Sequence, residues 1–150
     1  MKIEIQRINN ATLMEATNED GAKLILDGSP DVGGVNGGLR PMQLLLAAAG
    51  GCSSIDVIEI LKKQKQPLED LHVSVEGGRD KNDVPSLFKK IHLHFTLRGD
   101  LEKEKVARAI NLSMEKYCSV AKTLEKTAEI THSYEILPAT LASVKENLEK

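Results

Sequence analysis

The chain has 150 residues, enough for one ordinary domain with a core of its own. Its 20 basic and 22 acidic side chains nearly cancel, which argues against a nucleic-acid binder, and 41% apolar content argues against disorder. No stretch reads as long and apolar enough to cross a membrane, and the opening MKIEIQRINN alternates like a strand rather than a signal peptide, so a soluble cytoplasmic protein is expected.

The first third reads as β structure. Ile3 and Ile5 alternate with Glu4 and Gln6 across Lys2–Ile8, and Ala11–Thr17 and Ala22–Asp27 flank the turn sequence Asn18-Glu19-Asp20-Gly21. Gly28–Leu39, with five glycines and Pro30, is expected to be an irregular, mobile loop. Its GGVNGG lacks the lysine and Ser/Thr of a phosphate-binding loop. Pro41 suits a first helical position, where its missing N–H has no partner to lose. A helix is expected from Met42 to about Lys65, ended by Pro67. It is apolar all round from Leu44 to Ala49, with a buried stripe through Ile55, Ile58 and Leu61 and with Asp56 and Glu59 facing elsewhere.

Leu71–Val75 and Ile91–Leu97 follow as strands with one apolar face each, joined by the polar linker Gly77–Pro85, which suggests an antiparallel sheet covered on one side. Asp100 is a candidate N-cap for a second helix carrying Val106, Ile110, Met114 and Tyr117 as its apolar stripe and ending near Cys118. A short helix at Val120–Lys126, a last strand at Thr127–Ile136 and an amphipathic tail with Leu141, Val144 and Leu148 complete an α+β order. One long helix on one sheet leaves a face uncovered, so a partner subunit is expected there.

Chemistry concentrates on two cysteines, too few for a disulfide scaffold. Cys52 follows the pair Gly50-Gly51 inside the long helix. Each glycine costs on the order of 1 kcal/mol there against alanine, so a close approach of another helix or of a substrate should compensate. Cys118 sits where one helix ends and another begins, with Ser119 as a possible N-cap, a position that lowers a thiol's pKa. Both also suit inert buried thiols, and sequence alone leaves this open. His92 and His94 share a strand face, read as a solvated polar face. His132 falls on an apolar face, as a satisfied buried histidine or a pocket residue. With no further ligand at metal-site spacing, no metal is expected.

The segments LRPMQLLLAAAGGCSSIDVIEILKK, EKYCSVAKTLEK and ITHSYE resemble the OsmC/Ohr family of thiol peroxidases, most closely its YhfA-like branch. The resemblance runs from Met1 to about Leu137, which sets residues 1–137 as an OsmC-like domain and 138–150 as the tail. It implies an OsmC-like α+β fold, with antiparallel sheets packed on long central helices in an intertwined homodimer. It also implies that Cys52 is the peroxidatic cysteine, which becomes a sulfenic acid, and that Cys118 is the resolving cysteine, which closes a Cys52–Cys118 disulfide. A dithiol or lipoyl-type reductant would reopen it; no cofactor, nucleic acid or membrane is implied. The family's peroxidases carry a glutamate after the helix-opening proline, where this chain has Met42 and then Gln43. They also use an N-terminal arginine, for which Arg7 aligns poorly and Arg40 is the candidate substitute. Arg40, Met42 and Gln43 are therefore candidate activating or pocket residues. A peroxidase acting on organic hydroperoxides or hydrogen peroxide is expected. Its apolar pocket would draw on Leu44–Ala49, Phe88 or Tyr117. The alternative is a non-enzymatic redox sensor or small-molecule-binding relative.

Overall fold

The computed structural model describes residues 1–140, and the stripe expected at Leu141, Val144 and Leu148 lies outside them. Two compact units divide the chain, Met1–Leu45 and the remainder from Leu46.

In the first unit, β1 (Ile3–Arg7), β2 (Met14–Asn18) and β3 (Lys23–Leu26) form an antiparallel sheet in that order. The expected turn is present: Gly21 takes φ 83°, which favours glycine, and the Asn18 side chain accepts the N–H groups of Asp20 and Ala22. Ile3, Ile5 and Leu24 are exposed, so the alternation of β1 marks no buried face within this unit among the described residues. The glycine-rich loop is held rather than free. Buried Asp27 accepts Thr12 Oγ1–H and the N–H groups of Gly28, Val35 and Gly37, while Leu39 returns to pair with Leu26.

The helix α1 (Pro41–Lys63) does begin at the proline. It closes in Lys62 and Lys63, favourable charges at a helix C-terminus, and Lys65 at φ 54° turns the chain toward the next strand. Its buried face is Ala49, Gly50, Ser53, Val57 and Leu61. Ile55 and Ile58 are 65% and 42% exposed, contrary to the expected stripe, and of Leu44–Ala49 only Ala49 is buried. A helix apolar on every side gives no periodic signal to tell its inner face from its outer one. Its most apolar window has a mean hydropathy of 1.7, so by length and composition α1 does qualify to cross a bilayer, against the sequence expectation. Within the second unit it packs on a sheet: a Cβ placed on Gly50 would come 2.9 Å from Val75 Cγ2.

That sheet holds β4 (Leu68–Arg79), β5 (Phe88–Gly99) and β6 (Glu129–Leu137) in sequence order. β4 and β5 are antiparallel, but β6 runs parallel to β5, so the sheet is mixed rather than antiparallel. The reason is the connection: a parallel neighbour needs a crossover, and the chain makes one through α2 (Lys103–Leu112), a π-helical turn (Ser113–Tyr117) and α3 (Ser119–Leu124). Glu102, not Asp100, precedes α2, and it makes no side-chain cap. As expected, β5 buries Ile91, Leu93, Phe95 and Leu97, and α2 adds Val106 and Ile110 to this core with Val57 and Leu61. Tyr117 leaves the expected stripe and is 49% exposed, because it ends the π turn, whose wider spacing shifts its phase from that of α2.

Candidate active site

The site lies in the second unit, where α1 meets the end of the π turn. Cys52 and Asp56 stand one turn apart on α1, at the spacing that puts two side chains on one helix face. From the other side, the π turn ends in an N–H···O bond of 2.8 Å from Cys118 to Ser113, which sets Cys118 directly before α3. Both sulfurs and a carboxylate oxygen of Asp56 lie within 4.8 Å of one another. Cys52 is half-buried, Cys118 is fully buried, and both are free thiols.

Each group is held by its surroundings. Buried Ser113 donates its hydroxyl to Asp56 Oδ2 at 2.9 Å. Cys118, rather than Ser119, is the N-cap of α3, its sulfur accepting the Ala121 N–H at 3.4 Å. The Cys118 thiol itself points to the Ala49 carbonyl at 4.0 Å. Ser53 and Ser54 return their hydroxyls to the Ala49 and Gly50 carbonyls of the preceding turn, so these polar side chains need no partner beyond α1.

The electrostatics of Cys118 overturn one expectation. Its pKa is not lowered by the helix start but pushed up to about 11, first by burial and then by Cys52 and Asp56 beside it, against the opposing Ala121 N–H. Cys118 therefore waits as a thiol and must lose its proton when it reacts.

A cavity of about 550 Å³ opens beside the cluster, lined by Asp56, Glu59, Ile60, Lys63, Gln64, Arg108, Leu112 and Tyr117. Tyr117 contributes as expected. Phe88 does not, its ring being buried over Gly77, and neither does Leu44–Ala49. Asp56 is shared by the cavity and the sulfur cluster, and it was missed as a site residue because an acid on a helix reads as a solvated face. The signal was its i, i+4 spacing from Cys52.

The other candidates take local roles. Gln43 Oε1 accepts the Arg40 N–H at 2.9 Å, so Gln43 closes the N-terminus of α1 in capping-box fashion. The Arg40 guanidinium reaches Asn36 Oδ1 at 3.5 Å, and Met42 is half-buried. All three belong to the first unit. His92 bonds Thr131 and Ser133, and His94 bonds Ser133, across β5 and β6. His132 is half-buried against Asn111 Oδ1 at 3.0 Å, with its pKa lowered chiefly by burial, and it also lines a cavity of about 320 Å³ with Met114, Glu115 and Ile130, so it is both a satisfied histidine and a pocket residue.

Comparison with known proteins places the chain in a family. A family model described as OsmC-like protein matches residues 34–133. Protein YhfA of Escherichia coli K12 is 41% identical over 140 residues, covering 93% of this chain and all of its own. A crystal structure of an Aquifex aeolicus VF5 protein superposes with a TM-score of 0.81 at 27% identity, covering 93% of this chain and 97% of its own. The organic hydroperoxide resistance protein OhrB of Bacillus subtilis shares the fold with a TM-score of 0.63 at 20% identity, covering 90% of this chain and 98% of its own. With its two cysteines brought together on this fold, the chain belongs to the OsmC-like family.

Proposed function

We propose that the protein is a dithiol peroxidase acting on organic hydroperoxides or hydrogen peroxide. The observation that carries this reading is the convergence of Cys52, Cys118 and Asp56, from two separate segments, within 4.8 Å. Cys52, the more accessible sulfur, attacks the hydroxyl oxygen of the peroxide as a thiolate. The O–O bond breaks, the sulfur becomes a sulfenic acid, and the alkoxide leaves to take up a proton as the alcohol. Cys118 then attacks the Cys52 sulfur. Asp56 accepts the Cys118 proton and delivers it to the departing hydroxide, so the S–O bond is exchanged for an S–S bond and one water. The family's usual glutamate and arginine are missing from the matching positions, and Asp56 is the proton carrier within reach. A dithiol reductant, lipoyl-type or similar, resets the pair in the cytoplasm.

The working unit is a homodimer. Ala47, Ala48, Gly51, Ile55 and Ile58 give α1 an exposed, small-to-medium apolar face suited to close approach by a second copy.

Thiol counting tests the activity. Reduced protein treated with stoichiometric cumene hydroperoxide should lose two free thiols within minutes. The Cys52→Ser variant should lose none, and the Cys118→Ser variant should lose one, as a trappable sulfenic acid. Unchanged thiols in the wild-type protein would sink the reading.

A further inference from the structure

We infer that the reduced Cys52–Asp56–Cys118 cluster is a binding site for a thiophilic divalent metal ion, of which zinc is the type. This goes beyond the peroxidase reading and stands whether or not the pair reduces peroxides.

The donor set is the first argument. Two sulfurs and a carboxylate oxygen are ligands that zinc takes readily, at about 2.3 Å for sulfur and about 2.0–2.2 Å for oxygen. A tetrahedral ion at those distances holds its ligand atoms roughly 3.5–3.8 Å apart. The three atoms already lie within 4.8 Å of one another, so small side-chain rotations complete the set. The spacing is the second argument. Cys52 and Asp56 are an i, i+4 pair on one helix, the arrangement by which a single helix offers two ligands to one ion. The third ligand arrives on a different segment, so the triangle is fixed by tertiary structure.

Orientation is the third argument. Metal ligands are usually aimed by hydrogen bonds to their remaining atoms. Here Ser113 holds Asp56 Oδ2, leaving the other carboxylate oxygen for an ion, and the Ala121 N–H aims the Cys118 sulfur. Three protein ligands leave a fourth position. Because Asp56 also lines the 550 Å³ cavity, that position has a route to water or to an exogenous ligand. The two thiols release their protons to solvent as the ion binds, and a sulfur engaged with the ion is withheld from oxidation. Metal binding and disulfide formation are therefore mutually exclusive states of the same two sulfurs.

The sequence expectation of no metal site rested on the lack of a further ligand at metal-site spacing beside His92 and His94. The histidine face across β5 and β6 is instead filled by its bonds to Thr131 and Ser133.

The test uses full-length, reduced, metal-stripped protein titrated with Zn²⁺ against a chromophoric chelator, and with Cd²⁺ to read thiolate-to-metal absorption. We expect one ion per chain, a thiolate band with Cd²⁺, loss of both signals in Cys52→Ser and in Cys118→Ser, and at least tenfold weaker binding in Asp56→Asn. Circular dichroism of each variant separates loss of ligand from loss of fold. His92→Ala/His94→Ala should bind as the wild-type protein does. Absence of stoichiometric binding, binding that survives both cysteine substitutions, or an Asp56→Asn protein with wild-type affinity would each overturn the site. Thiol loss on peroxide treatment, measured with chelator present, reports on the peroxidase reading separately, so either can fail alone.

Discussion

Asp27, buried, and Asp56, half-buried, are carboxylates held by the fold, one in each compact unit, and they differ in how many of their lone pairs are filled. Asp27 accepts four hydrogen bonds, two on each oxygen, from Thr12, Gly28, Val35 and Gly37. Its pKa lies below the ordinary value, chiefly through the Thr12 bond and with help from the backbone N–H groups, despite the opposing cost of burial. Asp56 has one hydrogen bond among the described residues, from Ser113, and a carboxylate oxygen within 4.8 Å of two sulfurs. A saturated carboxylate fastens a loop and has nothing left to offer a reaction. A carboxylate pinned by one oxygen keeps its position and still has a lone pair for a proton or an ion. The contrast predicts that chemistry and stability separate cleanly between the two residues.

The largest expected effect is on Asp56. In single-turnover oxidation by cumene hydroperoxide, Asp56→Asn should slow disulfide closure by about 10²-fold, the usual scale for removing a positioned proton acceptor. Sulfenic acid should accumulate on Cys52 meanwhile, while the melting temperature stays close to wild type. Closure at the wild-type rate would place Asp56 with Asp27 among the inert carboxylates.

Asp27→Asn should do the reverse. Its amide NH₂ faces backbone N–H donors that a carboxylate accepted, so those donors lose their partner in a buried place. The melting temperature should fall by about 5 °C or more, with disulfide closure unaltered in protein that remains folded. Acid sharpens the point. Because the folded pKa is below the ordinary value of 3.8, the contribution of Asp27 is complete above that value and is lost as pH falls through the folded one. Wild-type thermal stability should decline below about pH 4, and the Asp27→Asn protein should lack that component. Parallel pH profiles for the two proteins would show that the loop does not depend on the carboxylate.

How legible these features were depends on whether a local rule governs them. Pro41, the Asn18–Gly21 turn and the alternation of β5 follow from backbone geometry and periodicity, and they stand where the residues suggest. The two cysteines were legible through long motifs. Asp27 and Asp56 were not, because each acquires its role from partners that no local pattern marks, Val35 and Gly37 across an irregular loop for one and the distant Ser113 and Cys118 for the other. The parallel pairing of β6 depends on a crossover whose path no strand pattern encodes. An uncovered face of α1 was legible from the element order, but not which residues form it: with apolar residues on every side, Ile55 and Ile58 look as buried as Val57 and Leu61.

The glycine pair repeats the contrast between a filled position and an open one within two residues, and it gives the smallest expected effect. Gly50 is required by packing, since a methyl group there would press on Val75 Cγ2 at 2.9 Å, whereas a methyl group at Gly51 meets nothing within 4 Å. Within the chain, Gly50 makes its close approach to a strand, β4, at the Val75 side chain. On helix propensity, with nothing to meet the added methyl group, Gly51→Ala should stabilise an isolated chain by up to about 1 kcal/mol, while the clash with Val75 should make Gly50→Ala destabilising. A second copy packed on the face of Ala47, Gly51 and Ile55 changes the sign at Gly51, because the added methyl groups then meet across the interface. Sedimentation equilibrium of wild type, Gly51→Ala and Ile55→Glu separates the cases. A dimer that weakens in Gly51→Ala and dissociates in Ile55→Glu places the second copy on this face. A wild-type monomer, with Gly51→Ala simply more stable, would mean that Gly51 answers to no partner chain and that its open side faces solvent.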